Sequence, residues 1–151
     1  MQVGEIMKTD VKTASADQTF ADVAKLLHDN GISSVVVKDG EHLAGIVTER
    51  DIVNVVADGL DPQTVTVGDR MTKRDLMTVE PKTDIAEAAE RMAARRIRHL
   101  PVVDRGGVVG IISIRDLTNW AVEELSSGHE MPDLQRSHTA LSAAAEINRG
   151  T

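Results

Sequence analysis

The chain has 151 residues, enough for one compact domain or for two small ones that share a core. Its 24 acidic and 17 basic side chains leave a formal charge of −7, which removes any general attraction to nucleic-acid backbones or anionic lipid. Phe20 and Trp120 are the only aromatics and cysteine is absent, so a base-stacking platform, disulfides and thiolate chemistry are excluded and the core must be aliphatic.

In chain order the first landmark is Val3-Gly4-Glu5-Ile6-Met7, which returns as Val67-Gly68-Asp69-Arg70-Met71. Thr13 sits in a short extended stretch. Phe20, Val23, Ala24 and Leu27 then fall at i, i+3, i+4 and i+7, the apolar face of a helix with Thr19 as its N-cap. The β-branched run Ser34–Lys38 reads as a buried strand, Asp39-Gly40 as a hairpin turn and Leu43–Val47 as the return strand. A helix starts near Thr48, with Ile52, Val53 and Val56 on its apolar face. Gly59 and Pro62 mark a linker.

The same order then repeats. Thr78 is extended. Ile85, Ala88, Ala89 and Met92 form a helix face capped by Thr83 or Asp84. Leu100–Val103 is a strand, Arg105-Gly106-Gly107 a turn and Val108–Ile112 the return strand. A helix starts near Ser113, with Leu117, Trp120 and Ala121 inward. Gly45-Ile46-Val47-Thr48-Glu49-Arg50-Asp51 is matched by Gly110-Ile111-Ile112-Ser113-Ile114-Arg115-Asp116, at an offset of 65 against 64 for the first pair. Each unit is therefore β-α-β-β-α, and neither is large enough to bury much core alone. The expected division is 1–60, a linker at 61–66, 67–125, and a tail at 126–151. In the tail Gly128 and Pro132 interrupt helix, and the Ala-rich run from Thr139 to Ile147 suits either a frayed end or a short helix.

Thr48-x-x-Asp51 and Ser113-x-x-Asp116 each follow a strand and open a helix. One reading is structural: a hydroxyl at N-cap with a carboxylate three residues on forms a capping box. The other is functional. A helix N-terminus attracts an anion, and an Asp placed there accepts hydrogen bonds from ribose hydroxyls. The two readings are compatible. Arg95-Arg96 ends a helix, where cations suit the dipole, and Glu123-Glu124 reads as a solvated helix face. His129 and His138 are too far apart in the tail to suggest a metal site. No metal or catalytic residues are expected.

The run Ile97-Arg98-His99-Leu100-Pro101-Val102-Val103-Asp104, followed by Gly110 to Asp116, resembles the CBS domain, named for cystathionine β-synthase. The earlier unit resembles it more loosely, and together the two cover residues 3 to 125. The resemblance implies an α+β fold of two βαββα repeats packed through their sheets with pseudo-twofold symmetry. It implies binding of AMP, ADP or ATP in clefts between the repeats, a homodimer, and signalling to a separate protein partner without catalysis. Nucleic acid and membrane are not expected partners. No early apolar run resembles a signal peptide and none could span a bilayer, so the expected location is cytoplasmic.

Carried over residue by residue, the resemblance implies two sites. The first joins Thr48 and Asp51 to Thr78, Val79, Ile97, Arg98, His99, Leu100 and Pro101. Asp51 would hold ribose, Val79, Ile97 and Pro101 the base, and Arg98 and His99 the phosphates. The second joins Ser113 and Asp116 to Thr13, Ala14, Ile32, Ser33, Ser34 and Val35. There Ser33-Ser34 replace the basic pair and Val36 replaces the proline, so the first site is the stronger anion site. Two other function classes compete with this reading. One is a dimerisation or interaction protein with empty clefts. The other is a phosphohydrolase, which would need a metal cluster or an activated nucleophile that the chain does not spell out.

Overall fold

The computed structural model of the chain describes residues 1–127 and 131–149. In order these form α1 (Val3–Ile6), β1 (Thr13–Ala14), α2 (Phe20–Asn30), β2 (Ser34–Asp39), β3 (His42–Thr48), α3 (Glu49–Ala57) and α4 (Val67–Arg70). There follow α5 (Ile85–Arg95), β4 (His99–Asp104), β5 (Gly107–Ser113), α6 (Ile114–Ser127) and α7 (Met131–Arg149). Gly128 and His129 of the expected tail, and its last two residues, lie outside the described residues. The mixed helix and strand content makes the chain α+β.

The chain folds as two compact units, each with its own core. The first, here the Phe20 unit, runs from Val11 to Leu76 and takes in Gly106–Val108. Its sheet has the order β1-β2-β3, with β1 parallel to β2 and β2 antiparallel to β3. Phe20, Val23 and Leu27 of α2 bury against Val35 and Val37 of β2, Val47 of β3 and Val55 of α3. Thr19 caps α2 as its sequence asks: the Asp22 N–H donates to the Thr19 hydroxyl at 3.2 Å, and the Thr19 N–H to the Asp22 carboxylate at 3.0 Å. The segment expected as a linker is pinned here. Phe20 N–H donates to Val65 O at 3.0 Å and Ala21 N–H to Pro62 O at 2.9 Å.

The second, the Trp120 unit, comprises Met1–Asp10, Met77–Arg105 and the chain from Val109 onward. β4 pairs with β5, and Val79 adds a parallel bridge to Val102. Ile85, Ala88, Ala89 and Met92 of α5, as the spacing predicts, bury with Leu100, Val102, Ile112, Leu117, Trp120 and Ala121. Of the two candidate caps, Asp84 is the N-cap and accepts the Ala86 N–H at 2.9 Å. Thr83 instead accepts the Glu80 N–H.

The repeated Val-Gly-x-x-Met segments explain why the units do not follow the repeat borders. Val3 and Gly4 donate their N–H groups to Thr83 O and Pro81 O, both at 2.8 Å, in the Trp120 unit. Val67 and Gly68 make the same pair of 2.8 Å bonds to Gln18 O and Ala16 O in the Phe20 unit. Each repeat's opening segment is thus built into the unit that holds the other repeat's strands. Next along the chain, Lys8 pairs with Ile111 through two 2.9 Å bonds, and Thr72 pairs with Ile46 through two 3.0 Å bonds. Gly110 and Gly45 permit this approach. A Cβ on Gly110 would stand 2.5 Å from Met7 Sδ, and one on Gly45 would stand 2.7 Å from Met71 Sδ and from Thr72 O.

Two sequence expectations need correction. Of the two readings of the tail, the structure takes the helical one over the described part and makes it longer than a short helix: α7 packs along α5 and α6, burying Ser137, Ala140, Ala143 and Ile147. Pro132 does not interrupt it, because it stands in the first turn, where a missing N–H breaks no helical bond. Arg136 ties the helix to Asp84 at 3.0 Å. The second correction concerns α3. Val55 is buried while Val53 and Val56 are 63% and 61% exposed. The matching place to Val56 in the other repeat is Ala121, which is fully buried in the core that α7 joins.

Candidate functional site

The two hydroxyl-x-x-carboxylate motifs open α3 and α6. Each arises from the same local logic: a strand ends on an extended hydroxyl residue, and a carboxylate three residues on folds back over the first turn of the helix that follows. In the Phe20 unit, Thr48 N–H donates to Asp51 Oδ2 at 2.8 Å and its hydroxyl to the same oxygen at 3.3 Å. Ser34 faces Thr48 across the β2–β3 ladder, and Ser33 O accepts the Glu49 N–H at 3.1 Å. Ile32 packs on the edge of this core. Val35 and Ala14 are buried, and Thr13 is exposed in β1. Burial pushes the Asp51 carboxyl above its usual range, against the hydrogen bonds from Thr48 and the charge of Arg70. Arg70 itself pairs with Asp58.

In the Trp120 unit the cap is tighter. Ser113 N–H donates to Asp116 Oδ2 at 2.8 Å, the Ser113 hydroxyl donates to it at 2.7 Å, and Asp116 N–H returns a bond to the hydroxyl at 3.2 Å. Arg98 O accepts the Ile114 N–H at 2.8 Å, so the Arg98-His99 pair lies beside this helix start, as Ser33-Ser34 lie beside the other. Arg98 is exposed and His99 partly buried. Burial lowers the His99 imidazole to about 4. The Asp116 carboxylate opposes that shift, and the charges of Arg98 and Lys8 reinforce it. Val79 N–H donates to Pro101 O at 3.1 Å, and Val79, Leu100 and Pro101 are buried with Ile97 at the margin. Thr78 O accepts from Arg91 at 3.2 Å.

The structure therefore gathers Arg98 and His99 with Ser113 and Asp116 inside one unit, and Ser33 and Ser34 with Thr48 and Asp51 inside the other. One member of the first cluster escaped the sequence reading. Lys8 Nζ stands 3.5 Å from Asp116 Oδ1. The signal was available: Lys8 follows the repeated Val-Gly-x-x-Met segment, and Thr72 follows the second copy. Nothing local, however, says that the segment pairs with the strand leading into Ser113. Lys8 thus pairs with the Asp116 carboxylate, and His99, a neutral imidazole at pH 7, lies within the field of Asp116, Arg98 and Lys8 beside the same helix N-terminus. Such an arrangement suits a ligand with hydroxyl donors and an anionic group. Among the described residues no group of three His, Asp or Glu side chains converges as a metal site would need, and no helix is long and apolar enough to cross a membrane.

The His99 shift has a measurable consequence. The imidazole titrates near 6.5 when unfolded and at about 4 in the fold, so below pH 6.5 the unfolded chain takes up a proton that the folded chain refuses. Stability from this source is intact above pH 6.5 and falls as the pH drops toward 4. The loss between pH 7 and pH 5 is about 2 kcal/mol. Urea melts should show this loss in the wild type and lack it in His99→Gln; equal losses in both would remove His99 as the cause.

Comparison with known proteins supports the duplicated reading. The family model "CBS domain" matches residues 3–58 and again 67–123. Among relatives, the mitochondrial CBS domain-containing protein CBSX3 of Arabidopsis thaliana is 36% identical over 134 residues, which are 81% of this chain and 65% of that protein. The chain thus spans less than two thirds of that relative. Among solved structures, the CBS domain protein PAE2072 of Pyrobaculum aerophilum, complexed with AMP, is 27% identical with a TM-score of 0.75, covering 92% of this chain and 99% of that one. The CBS domain pair of protein MJ0100, in complex with 5-methylthioadenosine and S-adenosyl-L-methionine, is 26% identical with a TM-score of 0.73, covering 79% and 98%. The chain belongs to the CBS domain family and carries two copies of the domain in tandem.

Proposed function

We propose that the chain is a regulatory module that binds an adenine nucleotide (AMP, ADP or ATP) and signals to a separate protein, without catalysing a reaction. The observation that carries this is the carboxylate at the start of α6: Asp116 pairs with Lys8 at 3.5 Å, and its charge reaches His99, which also lies in the field of Arg98. Asp116 and Asp51 take ribose hydroxyls, with Ser113 and Thr48 beside them. Arg98 and His99 take phosphate. Val79, Ile97, Leu100, Pro101 and Thr78 in the one set, and Ala14, Thr13, Ile32, Val35, Ser33 and Ser34 in the other, take the base and sugar. The adenosyl ligands of two similar structures support that ligand class. The cytoplasm is the proposed location and a homodimer the proposed working form. Val122 and Leu125 on α6, exposed like Val53 and Val56 on α3, support self-association.

A signal requires that the ligand bind two conformations unequally. Binding itself raises the melting temperature: a ligand at a hundred times its Kd adds about 2.7 kcal/mol. A thermal-shift series with AMP, ADP, ATP and S-adenosylmethionine should show a rise with at least one of the three nucleotides. Asp116→Ala should weaken that nucleotide about 10- to 100-fold, the worth of a charge-assisted hydrogen bond pair. No shift with any of the four at millimolar concentration would overturn the reading. A stable dimer in that case would favour the second reading, an interaction protein with empty sites, to which the same exposed valines and leucine point.

A further inference from the structure

Resting on that reading, we propose that Lys8 is an exchangeable latch on Asp116: it holds the carboxylate in the empty chain and passes to the ligand's phosphate when ribose hydroxyls take its place. Asp116 Oδ2 is already committed, accepting from the Ser113 N–H and hydroxyl at 2.8 and 2.7 Å. Its other oxygen, Oδ1, faces Lys8 Nζ at 3.5 Å. A ribose that uses Asp116 without breaking the helix cap must use Oδ1, so it competes with Lys8.

The two partners differ in freedom. The Asp116 side chain is 12% exposed and the Lys8 side chain 61%. A largely buried carboxylate is costly to leave unpaired, so Lys8 leaves only when hydroxyl donors replace it. The Lys8 ammonium, mostly in water, moves with little loss. Its backbone does not move with it: two 2.9 Å bonds to Ile111 fix the point from which the side chain swings, and Gly110 leaves room for that strand pairing. Arg98 lies beside the same helix start, its carbonyl accepting the Ile114 N–H at 2.8 Å, and its charge and that of Lys8 both reach His99, so a phosphate drawn to Arg98 also comes within the field of the freed lysine.

The other repeat lacks the device. Thr72 makes the same backbone pairing, with Ile46, but is no cation, and Arg70, whose charge reaches Asp51, is itself paired with Asp58. The latch therefore acts on one carboxylate of the two. It makes that one answer to phosphorylated adenosine rather than to adenosine alone.

The test is calorimetric titration of the full chain with AMP and with adenosine, in the wild type, Lys8→Met and Lys8→Arg. In Lys8→Met, AMP should bind about tenfold more weakly because a phosphate contact is lost. Adenosine should bind up to about fivefold more tightly because its competitor is gone. Lys8→Arg should keep the wild-type ratio of the two affinities. Wild-type AMP binding with Lys8→Met shifting both ligands by one common factor, or shifting neither, overturns the latch and leaves the nucleotide reading standing. A wild type that binds neither ligand overturns the nucleotide reading, and the latch with it.

Discussion

Ala121→Asp is expected to cost the chain about 3–5 kcal/mol, the penalty of a buried charge without a partner. Val56→Asp should stay within about 1 kcal/mol of wild type when both are compared at protein concentrations low enough to be monomeric, since it adds an exposed acid near a helix C-terminus. The two residues hold the same place in the duplicated pattern, each eight residues past its N-cap, Thr48 or Ser113. Their surroundings differ. Ala121 is fully buried in one core with Ala140 and Ala143 of α7, while Val56 is 61% exposed. Urea melts followed by circular dichroism decide the stabilities. Light scattering on Val56→Asp reads the proposed self-association at once, with a fall from dimer to monomer expected. An Ala121→Asp chain as stable as wild type would mean that α7 does not close over α6 in solution.

The second large effect concerns the other core. Phe20→Ala should lose about 3–5 kcal/mol, and Phe20→Leu less than about 1.5 kcal/mol. Phe20 is fully buried at the start of α2, and the core around it is aliphatic, mostly Val and Leu, so no second aromatic fills the gap. Trp120 is the only tryptophan and tyrosine is absent, so emission reports the Trp120 unit alone. Circular dichroism therefore has to carry the measurement for the Phe20 unit. A loss below about 1 kcal/mol on Phe20→Ala would show that this core relaxes around the cavity or is not packed as described.

Much of this architecture is legible in the sequence because period and punctuation are local. The strand runs were read to within a residue: Ser34–Lys38 against β2 at Ser34–Asp39, and Val108–Ile112 against β5 at Gly107–Ser113. The faces of α2 and α5 followed from their spacing, since apolar residues three and four apart must share a side. The failures have one cause. Val53 and Val56 carry apolar side chains in the right register, but whether such a stripe is covered depends on a distant segment. In one repeat α7 supplies that cover. Periodicity does not encode which helix lies across which.

The candidate site divides along the same line. Thr48, Asp51, Ser113 and Asp116 were legible as cap geometry, and the bonds at 2.8 Å reproduce that geometry in both repeats. The contrast of Arg98-His99 with Ser33-Ser34 was legible by aligning the copies. Lys8 was not, because its role depends on the opening segment pairing with Ile111, a contact across most of the chain. The depressed imidazole of His99 was not legible either, since burial causes it and residue type does not.

The carboxylate at the start of α6 is proposed to serve a phosphorylated adenosine. Isothermal titration of the full chain with AMP, beside Asp116→Ala under the same conditions, decides this claim. Saturable heat is expected for the wild type, and at least a tenfold weaker isotherm for the variant. Equal affinity in the two chains would contradict the assignment of Asp116, and no heat from either AMP or ATP at millimolar concentration would contradict the claim itself.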